Sequence, residues 1–184
     1  MERGPEQTFD APEGLLDIGD CVDERGEITM PAGTTLVSLI DRNVANIGDT
    51  VAYRFLDYSR TEGESSELTW SQLDVRMRAI GARIQEAVPR GARVAILAPQ
   101  GLEYVAAFFA AVKAGTIAVP LFAPELPGHA DRLEVALADS APGLLLTTAA
   151  AAGAVEAFLG RLPGLCPPVI VIDTIGDAAA GDFV

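Results

Sequence analysis

"GARVAILAPQGLEYVAAFFAAVKAGTIAVPL", residues 91–121, holds two short apolar runs separated by a helix-length segment that ends in glycine. The first run, within "RVAILAP" (93–99), is continuously apolar instead of alternating, which is the pattern of a strand covered on both faces. From Gly101 to Gly115 the apolar residues Tyr104, Phe108, Phe109 and Val112 surround the axis without forming one stripe, so the spacing predicts a helix buried on several sides. Gly115 stands just past the last periodic residue, where a left-handed cap is expected. "TIAVPL" (116–121) then reads as a second buried strand. Strand, helix and strand in so short a span make a parallel crossover unit, which should be right-handed.

The same alternation continues downstream. "HADRLEVALADS" (129–140) predicts a helix, "GLLLTT" (143–148) a strand, "AAAGAVEAFLGRL" (150–162) a helix and "PVIVID" (168–173) a last strand. The expected fold class is therefore α/β, with a mostly parallel sheet and helices on both faces. Ligands of such sheets bind outside the carboxyl ends of the strands. On that edge, the loop after Val119 carries Pro120, Pro124 and Pro127, which remove three backbone donors and stiffen the chain. It reads as a rigid apolar lip.

Upstream, "TTLVSLIDRNVANIGDTVA" (34–52) has Leu36, Leu39, Ile40, Val44 and Ile47 at helical spacing, with Gly48 as the stop. "VAYRFLDY" (51–58) predicts a strand with Val51, Tyr53 and Phe55 on one face. "SRTEGESSE" (59–67) reads as an exposed loop. The next helix has the clearest start signal in the chain. Thr69 and Gln72 form a capping box, and Leu68 and Leu73 occupy the positions of a hydrophobic staple. Its apolar stripe runs Leu73, Met77, Ile80, Ile84, Val88, and Arg76, Arg78 and Arg83 are expected on its wet face.

The 184 residues allow one sizeable core or one domain with an arm, and 49% apolar content marks a globular chain. The net charge of −13 is uneven, because residues 1–27 hold nine carboxylates against Arg3 and Arg25. This divides the chain into an acidic N-terminal arm, 1–27, and a folded part, 28–184. The charge argues against nucleic acid and an anionic membrane surface as partners, since either needs a basic face. No basic, then apolar, leader opens the sequence, and the longest apolar run, Tyr104 to Val112, is far short of a membrane span. Cys21 and Cys166 sit in no metal or redox spacing and read as free thiols of a cytoplasmic protein. His129, the sole histidine, lies at a helix entry.

No G-x-G-x-x-G or G-x-x-x-x-G-K-[ST] loop occurs, and "APQG" (98–101) reads as a helix entry turn. The residues alone stop at an α/β domain without a complete active site. Taken together, however, several stretches resemble the adenylate-forming, or AMP-binding, superfamily. Residues 91–121 are similar to its early segment, of the form GDRVAILLPN…FLAVLKAGAVYVPL. "ELTWSQLDVRMRAIGARI" resembles the helix before that segment, and "HADRLEVALADSAPGLLLTT" the helix and strand after it. Within the superfamily, "AYRFLDYS…ELTWSQL", "ILAPQGLEYVAAFFAAVKAG" and "IAVPLFAPELPGH" look most like the mycobacterial-type fatty-acyl-AMP ligases.

The resemblance spans roughly residues 34 to 175. It implies activation of a long-chain fatty acid with ATP and Mg²⁺ to acyl-adenylate, then transfer to an acyl carrier protein or polyketide synthase. The family's phosphate loop follows soon after a strand like "PVIVID", and the sequence reaches Val184 without it. The chain is thus expected to be the first subdomain of such a ligase, inactive alone, with no catalytic, cofactor-binding or metal residue assignable. Phe109, Leu121 and Phe122 are candidates for the wall of the acyl tunnel. The alternative is a non-catalytic module of the same fold that binds a fatty chain or a protein.

Overall fold

A computed structural model describes residues 18–29, 33–59, 63–124, 130–162, 164 and 167–184. Most of the acidic arm, Pro127, His129 and Cys166 lie outside the described residues, so the readings placed on them have no structural counterpart here. The elements run α1 (Leu36–Ile47), β1 (Val51–Asp57), β2 (Glu64–Thr69), α2 (Trp70–Ala87), β3 (Arg93–Ile96) and α3 (Leu102–Lys113). They continue with β4 (Ile117–Pro120), α4 (Ala130–Ser140), β5 (Leu144–Thr147), α5 (Ala149–Leu159) and β6 (Val169–Val171), then two short 3₁₀ turns, Ile172–Thr174 and Asp177–Asp182.

The sheet is parallel, in the order β4-β3-β5-β6. Alternation within β3 and β5 sends side chains to both faces. Val94, Ile96, Leu144 and Leu146 pack under α2 and α3, with Met77, Ile80, Ile84 and Ala110. Ala95, Leu97 and Leu145 face Leu133 and Leu137 of α4 and Val155 and Phe158 of α5. Helices therefore cover both faces, as the continuously apolar central strands require.

The second strand of the opening stretch is corrected by this order. β4 is the sheet's edge among the described strands, and Ile117 is 52% exposed. Its β-branched run reflects strand propensity, not burial. An edge also explains how Pro120 sits in a strand, since its missing N–H interrupts no ladder there.

A separate antiparallel hairpin, β1-β2, corrects the "SRTEGESSE" loop: Glu64–Glu67 is strand. The side chains of Glu64 to Glu67 are exposed, so neither face left an apolar alternation to read. Backbone pairing and the Arg54–Glu67 ion pair hold it instead. A register irregularity between Val51 and Tyr53 puts Val51 in solvent, while Tyr53 and Phe55 stay on the partly buried side. Tyr53 docks the hairpin, its ring 6.3 Å from Trp70 and 6.0 Å from Phe109.

Thr69 and Gln72 form the expected capping box, with Gln72 N donating to Thr69 Oγ1 at 3.2 Å and Thr69 N to Gln72 Oε1 at 2.9 Å. Two glycines act for different reasons. Gly115 closes α3 at φ +77° in a Schellman arrangement, its N–H donating to Val112 O at 3.0 Å and Thr116 N–H to Ala111 O at 3.0 Å. Gly48 has ordinary helical angles, but a Cβ there would lie 2.4 Å from Ser71 Oγ, so it is needed for the close approach of α1 to the start of α2. Lys113, nearly buried, ties the helical layer together by pairing with Asp41 of α1 and, at 3.2 Å, with Asp74 of α2.

Candidate functional site

The strand order reverses at β3. Crossover α3 leads outward to β4 on one face, and α4 returns the chain across β3 to β5 on the other. A reversal of this kind leaves a crevice at the carboxyl ends of the two central strands. Here that position is flanked by the segment after β3, Leu97–Gly101, and the segment after β5, Thr148–Ala149. Its floor is tied by Leu97 N–H donating to Leu146 O at 2.8 Å and the buried Thr147 Oγ1 donating to Leu97 O at 2.8 Å. Asp173, following β6, accepts from Ala149 N at 2.8 Å and so caps α5 from a distant segment.

Beside this crevice β4 runs out into Leu121. The Leu121 amide donates to Ile96 O at 3.1 Å, continuing the parallel pairing for one residue. Its carbonyl accepts from the hydroxyl of Tyr104, on α3, at 2.6 Å. Burial raises the Tyr104 pKa above its ordinary value, so the phenol stays a donor across the physiological range.

The three residues expected to line one wall are not brought together. Phe109 packs in the layer beneath α2, against Phe108 at 5.4 Å and Tyr53. Leu121 and Phe122 join the opposite layer, with Leu133, Leu137 and Phe158. Helical spacing could not show this, because the two sets are separated by the sheet.

Arg76 is the other correction. It is not on the wet face: its side chain is 11% exposed and is held at every nitrogen. Nε and Nη2 bond the carboxylate of Glu103 (3.0 Å at the shortest), Nη2 also donates to Ile172 O at 2.7 Å, and Nη1 donates to Ile175 O at 2.6 Å and Asp177 at 3.3 Å. Burial alone would lower its pKa, but Glu103 and Asp177 outweigh that and raise it. The guanidinium thus fastens the segment after β6 to α2 and to the first turn of α3. Its place next to Met77, on the flank of the apolar stripe, was the one signal available in sequence. Arg83, by contrast, is only partly buried and pairs with Glu86 at 2.6 Å.

An apolar groove of about 540 Å³ runs between α5 and the outer side of β6, lined by Val155, Leu159, Pro167 and Val169 with Glu156 at its rim. Among the described residues no cluster of three His, Cys, Asp or Glu could hold a metal ion. Among them, too, no helix is long and apolar enough to cross a membrane.

A model of the AMP-binding enzyme family matches residues 40–180. The chain belongs to that family. This AMP-binding family member is 44% identical over 161 residues to the long-chain-fatty-acid–AMP ligase FadD32 of Mycolicibacterium smegmatis, a match covering 86% of the chain and 26% of that protein. It is 42% identical over 135 residues to the long-chain-fatty-acid–AMP ligase FadD26 of Mycobacterium tuberculosis, covering 73% and 23%. A crystal structure of a fatty acyl-adenylate ligase from L. pneumophila, in complex with acyl adenylate and pyrophosphate, superposes with a TM-score of 0.69 at 25% identity, over 82% of this chain and 25% of that one. The chain therefore spans about a quarter of the length of the relatives it matches.

Proposed function

We propose that this AMP-binding family member is the first subdomain, residues 28–184 behind an acidic arm of 1–27, of a fatty-acyl-AMP ligase. The observation that carries the reading is the 44% identity to a ligase named for long-chain fatty acids, over 161 residues and 86% of the chain. In the complete enzyme the fatty carboxylate would attack the α-phosphorus of ATP, forming acyl-adenylate and releasing pyrophosphate. The acyl group would then pass to an acyl carrier protein or polyketide synthase. ATP as co-substrate fits a cytoplasmic enzyme.

Among the described residues no three His, Cys, Asp or Glu side chains come together, and the sequence has no G-x-G-x-x-G or G-x-x-x-x-G-K-[ST] loop. No phosphate or Mg²⁺ contact is assigned to any described residue. What this chain supplies is the rigid sheet edge and an apolar wall. Leu121 and Phe122, at the root of the proline-stiffened lip, line the path of the acyl chain, and Phe109 supports it from the other face of the sheet. A wall of this kind must not collapse when empty, and Pro120 and Pro124 would stiffen it at small entropic cost.

The test is a chimera in which residues 34–175 replace the matching segment of the M. smegmatis ligase. Fatty-acid-dependent release of pyrophosphate from ATP is expected, with the 184-residue chain alone releasing none and showing no ATP·Mg-dependent rise in Tm. A folded chimera without adenylation, or adenylation by the chain alone, would overturn the reading.

A further inference from the structure

Tyr104 stands on α3, in the layer under one face of the sheet, and its hydroxyl donates to the main chain just past the end of the edge strand. Its acceptor, Leu121 O, belongs to the first residue after β4, at the root of the lip. Pro120 before it offers no N–H, β4 has a neighbour on one side only among the described strands, and the Leu121 amide donates to Ile96 O. The backbone is thus held on its N–H by the central strand and on its C=O by Tyr104. From this pinned residue the side chains of Leu121 and Phe122 turn into the layer of Leu133, Leu137 and Phe158.

We propose that Tyr104 is a positioning residue for acid selection: by holding the Leu121 carbonyl it sets where Leu121 and Phe122 stand, and so how well the wall fits a long acyl chain. This rests on the reading that Leu121 and Phe122 wall the acyl path. Tyr104 touches no substrate in this scheme. A long acid lies along more of the wall than a short one, so loosening the wall weakens the long acid more.

Tyr104→Phe removes one oxygen and keeps the ring, so the packing with its neighbours is retained. In the chimera, the ratio of the KM for palmitate to the KM for octanoate should rise about fivefold, the factor a single neutral hydrogen bond carries. The KM for ATP should stay in place. Phe122→Trp is run beside it and should shift preference toward octanoate by filling the path. If Phe122→Trp shifts the preference and Tyr104→Phe does not, the role of Tyr104 is overturned and the wall stands. If neither shifts it, the wall reading fails and this inference fails with it. Should substituted chimeras not fold, amide hydrogen exchange in the 184-residue chain decides. Faster exchange at the Leu121 amide in Tyr104→Phe supports the pin, and an unchanged rate overturns it.

Discussion

Arg76→Ala is expected to destabilise the fold more than any other single change on the polar side of α2. The side chain is 11% exposed, and truncation would leave the carbonyls of Ile172 and Ile175 and the carboxylate of Glu103 without their donor. Charge-assisted hydrogen bonds are worth about 1.5–3 kcal/mol each, and one-sided removal of a buried pair costs about 3–5 kcal/mol. Water can reach part of this network, since the Glu103 and Asp177 side chains are 38% and 68% exposed. That lowers the expected loss to about 2–4 kcal/mol. For a domain of this size the corresponding fall in Tm is on the order of 10 °C. Circular dichroism melts and urea titrations of the 184-residue chain measure it, with Arg76→Lys as a control. Lysine keeps the charge but cannot address Glu103 and two carbonyls in different directions, so it should recover less than half of the loss. A Tm for Arg76→Ala within about 1 °C of the parent would refute the clamp and return Arg76 to the solvated face.

Gly115→Val should cost about 1–3 kcal/mol, because a β-branched residue is strained at φ +77° and its Cβ would meet the Arg90 guanidinium at 2.7 Å. Arg90 is flexible and can withdraw, so the backbone term dominates, and a variant that melts with the parent would exclude the left-handed cap. Alkaline titration should expose the two half-buried phenols. Burial raises the pKa of both Tyr53 and Tyr104 above 10.0, so the native state binds more protons than the unfolded state above that value. Their contribution to stability is complete below about pH 10 and is lost as pH rises through the native pKa values. The urea midpoint should therefore fall faster above pH 10 in the parent than in a Tyr53→Phe/Tyr104→Phe double variant. Equal slopes would refute the assignment.

What the order of residues alone decides here is whatever depends on local periodicity or on chemistry within one turn. The continuous apolar runs of β3 and β5 dictated a parallel sheet covered on both faces, and Val94/Ile96 and Ala95/Leu97 do divide between two layers. Thr69 with Gln72, and Gly115 after α3, were readable because capping is an exchange between near neighbours in the chain. The family was readable too, since it rests on many positions in order and not on any one contact.

Only the tertiary structure decided what depends on strand order. β4 has the same apolar pattern as β3 but lies at the edge, and no property of "TIAVPL" itself distinguishes the two places. Residues 64–67 pair through their backbone, which leaves no mark on side-chain pattern. Phe109 and Phe122 look alike in sequence yet fall on opposite faces of the sheet. Arg76 and Tyr104 find their acceptors at Ile172, Ile175 and Leu121, across the fold, and a hydrogen bond of that span exists only once the sheet has brought its ends together. Periodicity says which residues must be buried; the crossing of the chain says against what.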